Sequence, residues 1–446
     1  MNSSSKLFLV FVVLLASARA DWKAGVGRAD ITPTEPIWMA GFGARTRPSE
    51  GVRQKIWVKT LALEDETGAK AVLVTSDLLG FNRKMADIVA DQVKSKYGLT
   101  RDRLAINSSH THSGPVTDEI LRPGYPWNKE QKARQVPVID RYTKKLLEQV
   151  VEAVGAALAD LKPATLTFAQ GNAGFATNRR RVTLRHQPGP VDQDVPVLAV
   201  RGADGKVRAV VFGYACHATS MHDNLISGDW PGYAQSAIEE ANPGATALFV
   251  NGASGDANPL PRRTVELGIG YGNLLAEAVS QVMARKMSSV TGPLKTAFET
   301  VDLAFDQVPT KEELERRVAS KDGSASRHAQ FVLDHLKPDG KVWTTYPYPI
   351  EVWQFGKSLK MVILGGELVV DYALRLKALY GWENTWVAGY SNDVFAYIPS
   401  LRVLKEGGYE GGGAMIGYGQ PGPFQPTVEE TIVDRVEKLV RQTAVP

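Results

Sequence analysis

The chain has 446 residues, 43% of them hydrophobic, enough for a large buried core and unlike a disordered or fibrous protein. Its formal charge of +4 falls to +2 once Lys6 and Arg19 in the first twenty residues are set aside, so nucleic acid or an anionic membrane gains no support as an obligate partner. Cys216 is the only cysteine, which excludes an intramolecular disulfide.

The opening "MNSSSKLFLVFVVLLASARA" sets Lys6 before an apolar run from Leu7 to Leu15 and closes on Ala18-Arg19-Ala20, the small-x-small pattern of a cleaved signal peptide. That run is too short to span a bilayer. Residues 1–20 are expected to be a signal peptide and 21–446 an exported chain, secreted or periplasmic, with no transmembrane segment. "KAVLVTSD" (70–77) reads as a buried strand ending on an acid. "MADIVADQVKSKYG" and "DRYTKKLLEQVVEAVGAALADL" carry apolar residues at three- and four-residue spacing and read as helices. "PVLAVRGADGKVRAVVFGYACH" is two strands about an Ala-Asp-Gly-Lys turn. "ATALFVNGASGDANP" runs from a strand into a Gly-rich loop. The segment from about 308 to 345 is charged and helix-prone and reads as a surface excursion. "SLKMVILGGELVVDYALRLKALYG" begins as a strand and continues as a helix across Gly365-Gly366, and "TWVAGYSNDVFAYIP" is a strand with a polar exit. The fold class is α/β, with mixed sheets flanked by helices and the informative loops following strands.

Within "INSSHTHSGPV", His110 and His112 stand two apart behind an apolar run, where an extended backbone would point both imidazoles the same way. His217 ends the second hairpin strand in "GYACHATSM". His-x-His with a distant third histidine is one way to build zinc sites from strand ends, and hydrogen-bonded loop histidines are the alternative. His186, His222, His328 and His335 lie in polar surroundings that suggest no such role. Glu367, in the otherwise apolar "ILGGELVV", is the best acidic candidate, because an unpaired carboxylate there would be costly. It could equally cap its helix or pair with an arginine. Asp77, Asp229 and Asp256 read as turn or N-cap residues. Cys216 and His217 should face opposite sides of their strand, so Cys216 reads as a buried small hydrophobe and not as a nucleophile.

Taken as an ordered set, "AGVGRADITPTEPIWMAGFG", "NSSHTHSGP", "NRR", "CHATSM", "ISGDWPGYA", "GASGDANP", "GGEL" and "YEGG" resemble the catalytic domain of the neutral/alkaline (non-lysosomal) ceramidases over roughly residues 22 to 425. The resemblance implies a ceramidase-like fold and hydrolysis of the amide bond of ceramide or a related N-acyl compound at one Zn2+. The implied ligands are His110, His217, Glu367 and Tyr397. His112, Arg179 and Tyr409 match the other active-site residues, with Arg180 a rival to Arg179 because the family's Asn-Arg-Ser-Pro has become Asn-Arg-Arg-Arg. On this reading zinc activates a water, His112 carries protons, and Arg179 and Tyr409 stabilise the oxyanion or hold the substrate's polar head. A more soluble amide or ester, or a non-catalytic lipid-binding role, are the alternatives.

Two departures from the family pattern bear on mechanism. Asn258 in "GDANPL" stands where the family has a serine assigned as nucleophile, and Ser254 lies four residues earlier. Asparagine cannot form an acyl intermediate, so direct attack by water is expected, with Asn258 left as a possible oxyanion donor. The chain also ends after "TVEETIVDRVEKLVRQT", so residues 21–446 are expected to form one zinc hydrolase domain without the family's C-terminal immunoglobulin-like domain.

Overall fold

Strand-forming segments from the first two thirds of the chain pair into one large mixed sheet. The structure, a computed structural model, describes residues 21–181 and 189–445. The expected signal peptide and His186 lie outside them. Eight strands follow the spatial order Thr246–Asn251, Val207–Tyr214, Asp194–Gly202, Lys162–Asn172, Trp22–Asp30, Trp57–Asp65, Lys70–Ser76, Leu104–Ser108, and Ser288–Val290 adds alongside Lys162–Asn172. The centre is antiparallel, whereas both edge pairs are parallel. Parallel neighbours need a crossover, and helices Arg83–Tyr97 and Asp229–Ala241 provide it at the two edges. Loops leaving the C-terminal ends of those edge strands are where an α/β site is expected.

A second sheet, Leu294–Ala304, Thr345–Phe355, Leu359–Leu364 and Thr385–Ala388, packs on the first through Trp353, Phe355, Met361 and Trp386 against Trp22, Leu61 and Leu248. The opposite face of the large sheet is covered by helix Lys129–Ala159. That helix approaches closely because Gly25 and Gly27 lack side chains: a Cβ on either would fall 2.1 Å from the Ala157 carbonyl oxygen or 2.2 Å from that of Ala153. It starts earlier than its apolar pattern suggests, at a capping box of Asn128 and Gln131, and continues through Pro137. The charged excursion folds as helices Lys311–Val318 and Gly323–Asp334, as expected. Among the described residues no helix is long and apolar enough to cross a membrane.

The sheet's two edge strands do not stay apart. Asn107, near the end of one, accepts a hydrogen bond on Oδ1 from the Asn251 backbone at 2.9 Å, and Asn251 donates from Nδ2 to the Ser109 carbonyl at 3.1 Å. Asn107 Nδ2 also reaches the Gly389 carbonyl at 2.7 Å and Ser391 Oγ at 3.0 Å, which ties in the exit of strand Thr385–Ala388. Three strand exits therefore converge on one side chain. Asn107→Ala would leave several buried polar groups without partners and should destabilise the fold by about 3 kcal/mol, read as a lower denaturant midpoint at unchanged slope. An unchanged midpoint would mean that the strand exits are held by something else.

Candidate active site

Strand Leu104–Ser108 stops two residues before His110, which turns at a left-handed φ of 60°. The two histidines thus converge through this turn and not through strand alternation. Their ring centroids lie 5.0 Å apart, and each is within 5.8 Å of the His217 ring. His217 follows strand Val207–Tyr214, its backbone N–H donating to the Ala257 carbonyl at 3.0 Å. Asp229, at the start of its helix, anchors the loop after His217 by accepting from the backbone of Ser220 and Met221, each at 3.1 Å, and burial pushes its carboxyl up to about 6. Trp230 donates from its indole to the His217 carbonyl at 2.9 Å. Cys216 is buried in the adjoining core, consistent with a small hydrophobe.

Glu367 and Tyr397 arrive together because they are directly opposed in a two-residue parallel ladder, Glu367–Leu368 against Tyr397–Ile398. Gly366 adopts φ 70° with Ile398 so close that a Cβ would come within 2.5 Å of it. Glu367 Oε2 lies 3.1 Å from Nε2 of both His110 and His217. Oε1 accepts from the Tyr418 hydroxyl, and Tyr390 donates to Oε2 at 3.5 Å.

The hydrogen atoms decide what this cluster can hold. Nδ1 of His110 faces the Leu79 carbonyl at 2.8 Å, and Nδ1 of His217 faces the Ser254 carbonyl at 2.7 Å. A carbonyl only accepts, so both Nδ1 atoms carry the proton and both neutral rings offer a lone pair at Nε2. Two imidazole lone pairs and a carboxylate oxygen then crowd together at a separation that is repulsive unless a cation lies between them. Tetrahedral zinc ligands at ~2.0–2.1 Å from the metal are roughly 3.3 Å from one another, close to the spacing here. The donor set fits a metal. His110, His112 and His217 also form a group whose ligand atoms lie within 4.8 Å of one another and could hold one. Burial opposes the charge on Glu367, and its carboxyl falls well below the usual range only where positive charge stands at the two Nε2 atoms of His110 and His217. Burial, with Arg179 alongside, pulls His217 down to about 4.

The remaining candidates surround this centre. Tyr397 accepts from Arg179 Nη2 at 2.9 Å and lies 3.2 Å from His217 Nε2. Tyr409 has its ring centroid 5.3 Å from that of Tyr397, under the Arg179 guanidinium, and keeps 56% of its surface exposed. Arg179 faces the centre. Arg180 turns away to Glu406, Glu410 and the Gly407 carbonyl. Neither ring nitrogen of His112 has a partner among the described residues, although both are buried. Asn258 lies on strand Ala257–Pro259, with Thr219 donating to its Oδ1 at 3.5 Å. Ser254 donates its hydroxyl to Tyr390 at 2.8 Å.

Sequence reading missed Tyr390, Tyr418 and Glu410, and took Asp229 and Asp256 for ordinary turn residues. Asp256 is fully buried and accepts from the Val370 backbone at 2.8 Å and from Asn178 Nδ2 at 3.0 Å, joining the Arg179 strand to the Glu367 segment. Glu410 had a usable signal, as an acid beside Tyr409 with two arginines seeking a partner. His222 also lies nearer than its polar surroundings suggest, tilted against Phe42 with ring centroids 4.9 Å apart, and Phe42 itself packs edge-on against His112.

The fold and site define a mixed α/β protein with a metal-competent centre at converging strand exits. The model of the neutral/alkaline non-lysosomal ceramidase N-terminal domain matches residues 22–260, and the chain belongs to that family. It is 25% identical over 287 residues to the neutral ceramidase of Drosophila melanogaster, covering 58% of this chain and 39% of that protein. The Mycobacterium tuberculosis neutral ceramidase is 26% identical over 251 residues, covering 50% and 37% respectively. The chain thus spans about two fifths of the length of these relatives. The crystal structure of neutral ceramidase from Pseudomonas aeruginosa superposes with a TM-score of 0.73 at 19% identity, over 96% of this chain and 76% of that one. A ceramidase complexed with C2 gives 0.75 at 18% identity over the same shares. The mixed α/β fold is that of these structures.

Because Tyr418 is the donor to the Glu367 oxygen that faces away from the histidines, Tyr418→Phe should weaken metal binding by roughly tenfold, measured by chelator competition. Unaltered affinity would remove Tyr418 from the support of the site.

Proposed function

We propose that this protein is an exported zinc-dependent hydrolase that cleaves the amide bond of ceramide or a related N-acyl compound, with His110, His217, Glu367 and Tyr397 holding the metal. The observation that carries the reading is the convergence of two Nε2 lone pairs on one oxygen of Glu367, with the Arg179-bound Tyr397 beside them. The names of the relatives supply the substrate class, and the N-terminal twenty residues supply the export. Bound there, Zn2+ would polarise the scissile carbonyl and acidify a water.

The chain's own residues do the rest. His112 accepts the proton from the attacking water and delivers it to the departing amine nitrogen, for which two unpartnered ring nitrogens beside the centre are suited. Burial, with His110 and His217 close by, pulls His112 well below the usual histidine range, so the ring starts neutral and able to accept. Arg179 and the exposed Tyr409 donate to the oxyanion as it forms, Arg179 being fixed by Glu410 at 2.6 Å. Asn258 adds its amide hydrogens. Ser254 spends its hydroxyl on Tyr390, so water attacks directly and no acyl-enzyme forms.

Elemental analysis should find one zinc per chain, lost in His110→Ala and His217→Ala but kept in His112→Ala, whose turnover falls about 10²-fold or more. Equal zinc loss in His112→Ala would make the three imidazoles the ligand set. Asn258→Ala should slow an N-acyl amide by about 10²-fold without abolishing turnover. In a quenched reaction with an activated acyl substrate, intact-mass spectrometry should find unmodified protein. An acyl adduct with a stoichiometric burst refutes direct attack.

A further inference from the structure

The rim beside His112 carries three arginines, Arg45, Arg262 and Arg263, none of which is ion-paired with an acid among the described residues. Arg45 is 6% exposed and donates only to neutral groups through its guanidinium nitrogens, among them the His112 carbonyl at 2.9 Å, while its Nε has no partner. Its guanidinium lies 5.4 Å from the Phe42 ring, which contacts His112 at 4.8 Å on one side and His222 at 4.9 Å on the other. Arg262 and Arg263 follow Asn258 by four and five residues, on the segment that runs back along the His217 loop, where the Arg263 backbone donates to the Ser220 carbonyl at 2.6 Å. Arg263 is exposed at a left-handed φ of 89° and Arg262 is half-buried.

The side chains of Arg262 and Arg263 have no hydrogen-bond or ion-pair partner among the described residues, and residues 182–188 contain no acid that could supply one. Arg262 lies within the field of Arg263 and Arg179, and His222 within that of Arg263, Arg45 and Arg262; burial first and these cations next pull both groups down. Asp223, the acid that reaches this rim, is already bound to Arg53 at 2.6 Å. Glu266, the next acid along the chain, is exposed in the first turn of helix Val265–Met283. With the whole protein near neutrality, the excess is local. Like charges gathered beside a reaction centre cost energy unless a ligand of opposite charge offsets them.

We propose that the site takes amides bearing a negatively charged group close to the scissile bond, and that Arg262 and Arg263, with Arg45 behind them, bind that group. This rests on the amidase reading above for the reaction but not for the binding. A matched pair, N-dodecanoylglycine and N-dodecanoylethanolamine, differs chiefly in a carboxylate against a hydroxyl. The zinc-loaded full chain should bind the glycine conjugate about tenfold more tightly by calorimetry at low salt, and the ratio of the two kcat/KM values should favour it similarly. About 1 M salt should erase most of the preference. In Arg262→Ala/Arg263→Ala the ratio should fall several-fold, and Arg262→Glu should reverse it.

Equal binding of the two amides, or a preference that survives the double substitution, overturns the proposal. So does retention on anionic vesicles without discrimination between the monomeric amides, which would assign the arginines to a lipid surface. If the charge-selective binding is found but neither amide is cleaved, the proposal stands and the amidase reading falls.

Discussion

One carboxamide side chain sets the geometry on which the site depends. Asn107 uses its oxygen on the Asn251 backbone and its nitrogen on Gly389 and Ser391, so it joins the two edge strands of the large sheet to the exit of the second sheet. Neighbouring backbone bonds follow the same seam, from Ser108 to Tyr390 and from Asn392 to Ile106. Each exit then delivers a different functional group a few residues on: His110 from one, Ser254 from the second, Tyr390 and Tyr397 from the third. A shift of one edge strand by a residue would send its side chains to the other face and disperse the set. Left-handed φ values at His110, Tyr390 and Asn392 show that the backbone is bent to fit this junction. Such strain, on the order of 1 kcal/mol or more per residue, persists only where the surroundings over-determine it.

The chemistry of the centre follows from which hydrogen-bond groups are used up. Two carbonyls, of Leu79 and Ser254, claim the Nδ1 protons and leave lone pairs at Nε2. Tyr418 and Tyr390 donate to Glu367 from the outside, which fixes the carboxylate without neutralising it. The result is a cluster of acceptors that Arg179 Nη1 and the Tyr397 hydroxyl approach from one side, 3.4 Å and 3.2 Å from His217 Nε2. Such a cluster of lone pairs about one carboxylate oxygen favours a cation among them, and its donor set could hold a metal. His112 is distinguished from the other two histidines by the same accounting, since neither of its ring nitrogens has a hydrogen-bond partner among the described residues.

Much of this was legible in the sequence, for reasons particular to each element. The helices Arg83–Tyr97 and Val370–Tyr380 show through because one face alone is apolar, and the hairpin Asp194–Gly202 to Val207–Tyr214 because a polar turn separates two apolar runs. The strands Trp22–Asp30, Lys162–Asn172 and Leu294–Ala304 were not read, because polar and glycine residues interrupt their apolar positions and no continuous apolar run marks them. Motif order placed His110, His112, His217, Glu367, Arg179, Tyr397 and Tyr409 in one neighbourhood, and the structure gathers them there. It could not find Tyr418 or Tyr390, since a tyrosine that supports a carboxylate from 51 or 23 residues away leaves no local pattern. Asp256 and Asp229 look like any loop aspartate until the buried backbone groups they satisfy are known.

The run Arg179-Arg180-Arg181, where the family pattern has Asn-Arg-Ser-Pro, shows how a departure can be absorbed. Glu410 divides its carboxylate between two guanidiniums, Oε1 taking Arg179 Nε at 2.6 Å and Oε2 taking Arg180 Nη1 at 2.7 Å. Arg180 adds the Gly407 carbonyl at 2.9 Å, which pins the turn that begins with Gly407 and Gly408 at left-handed φ and presents Tyr409 to solvent. The charge of the extra arginine is thus spent on the loop, and Arg179 keeps Nη2 for Tyr397. A buried carboxylate shared in this way is costly to half-satisfy, because loss of either arginine leaves one oxygen without its charge-assisted bond. Arg180 therefore bears on the centre indirectly, through Glu410, which holds Arg179, and through the Gly407 carbonyl, which holds the turn before Tyr409.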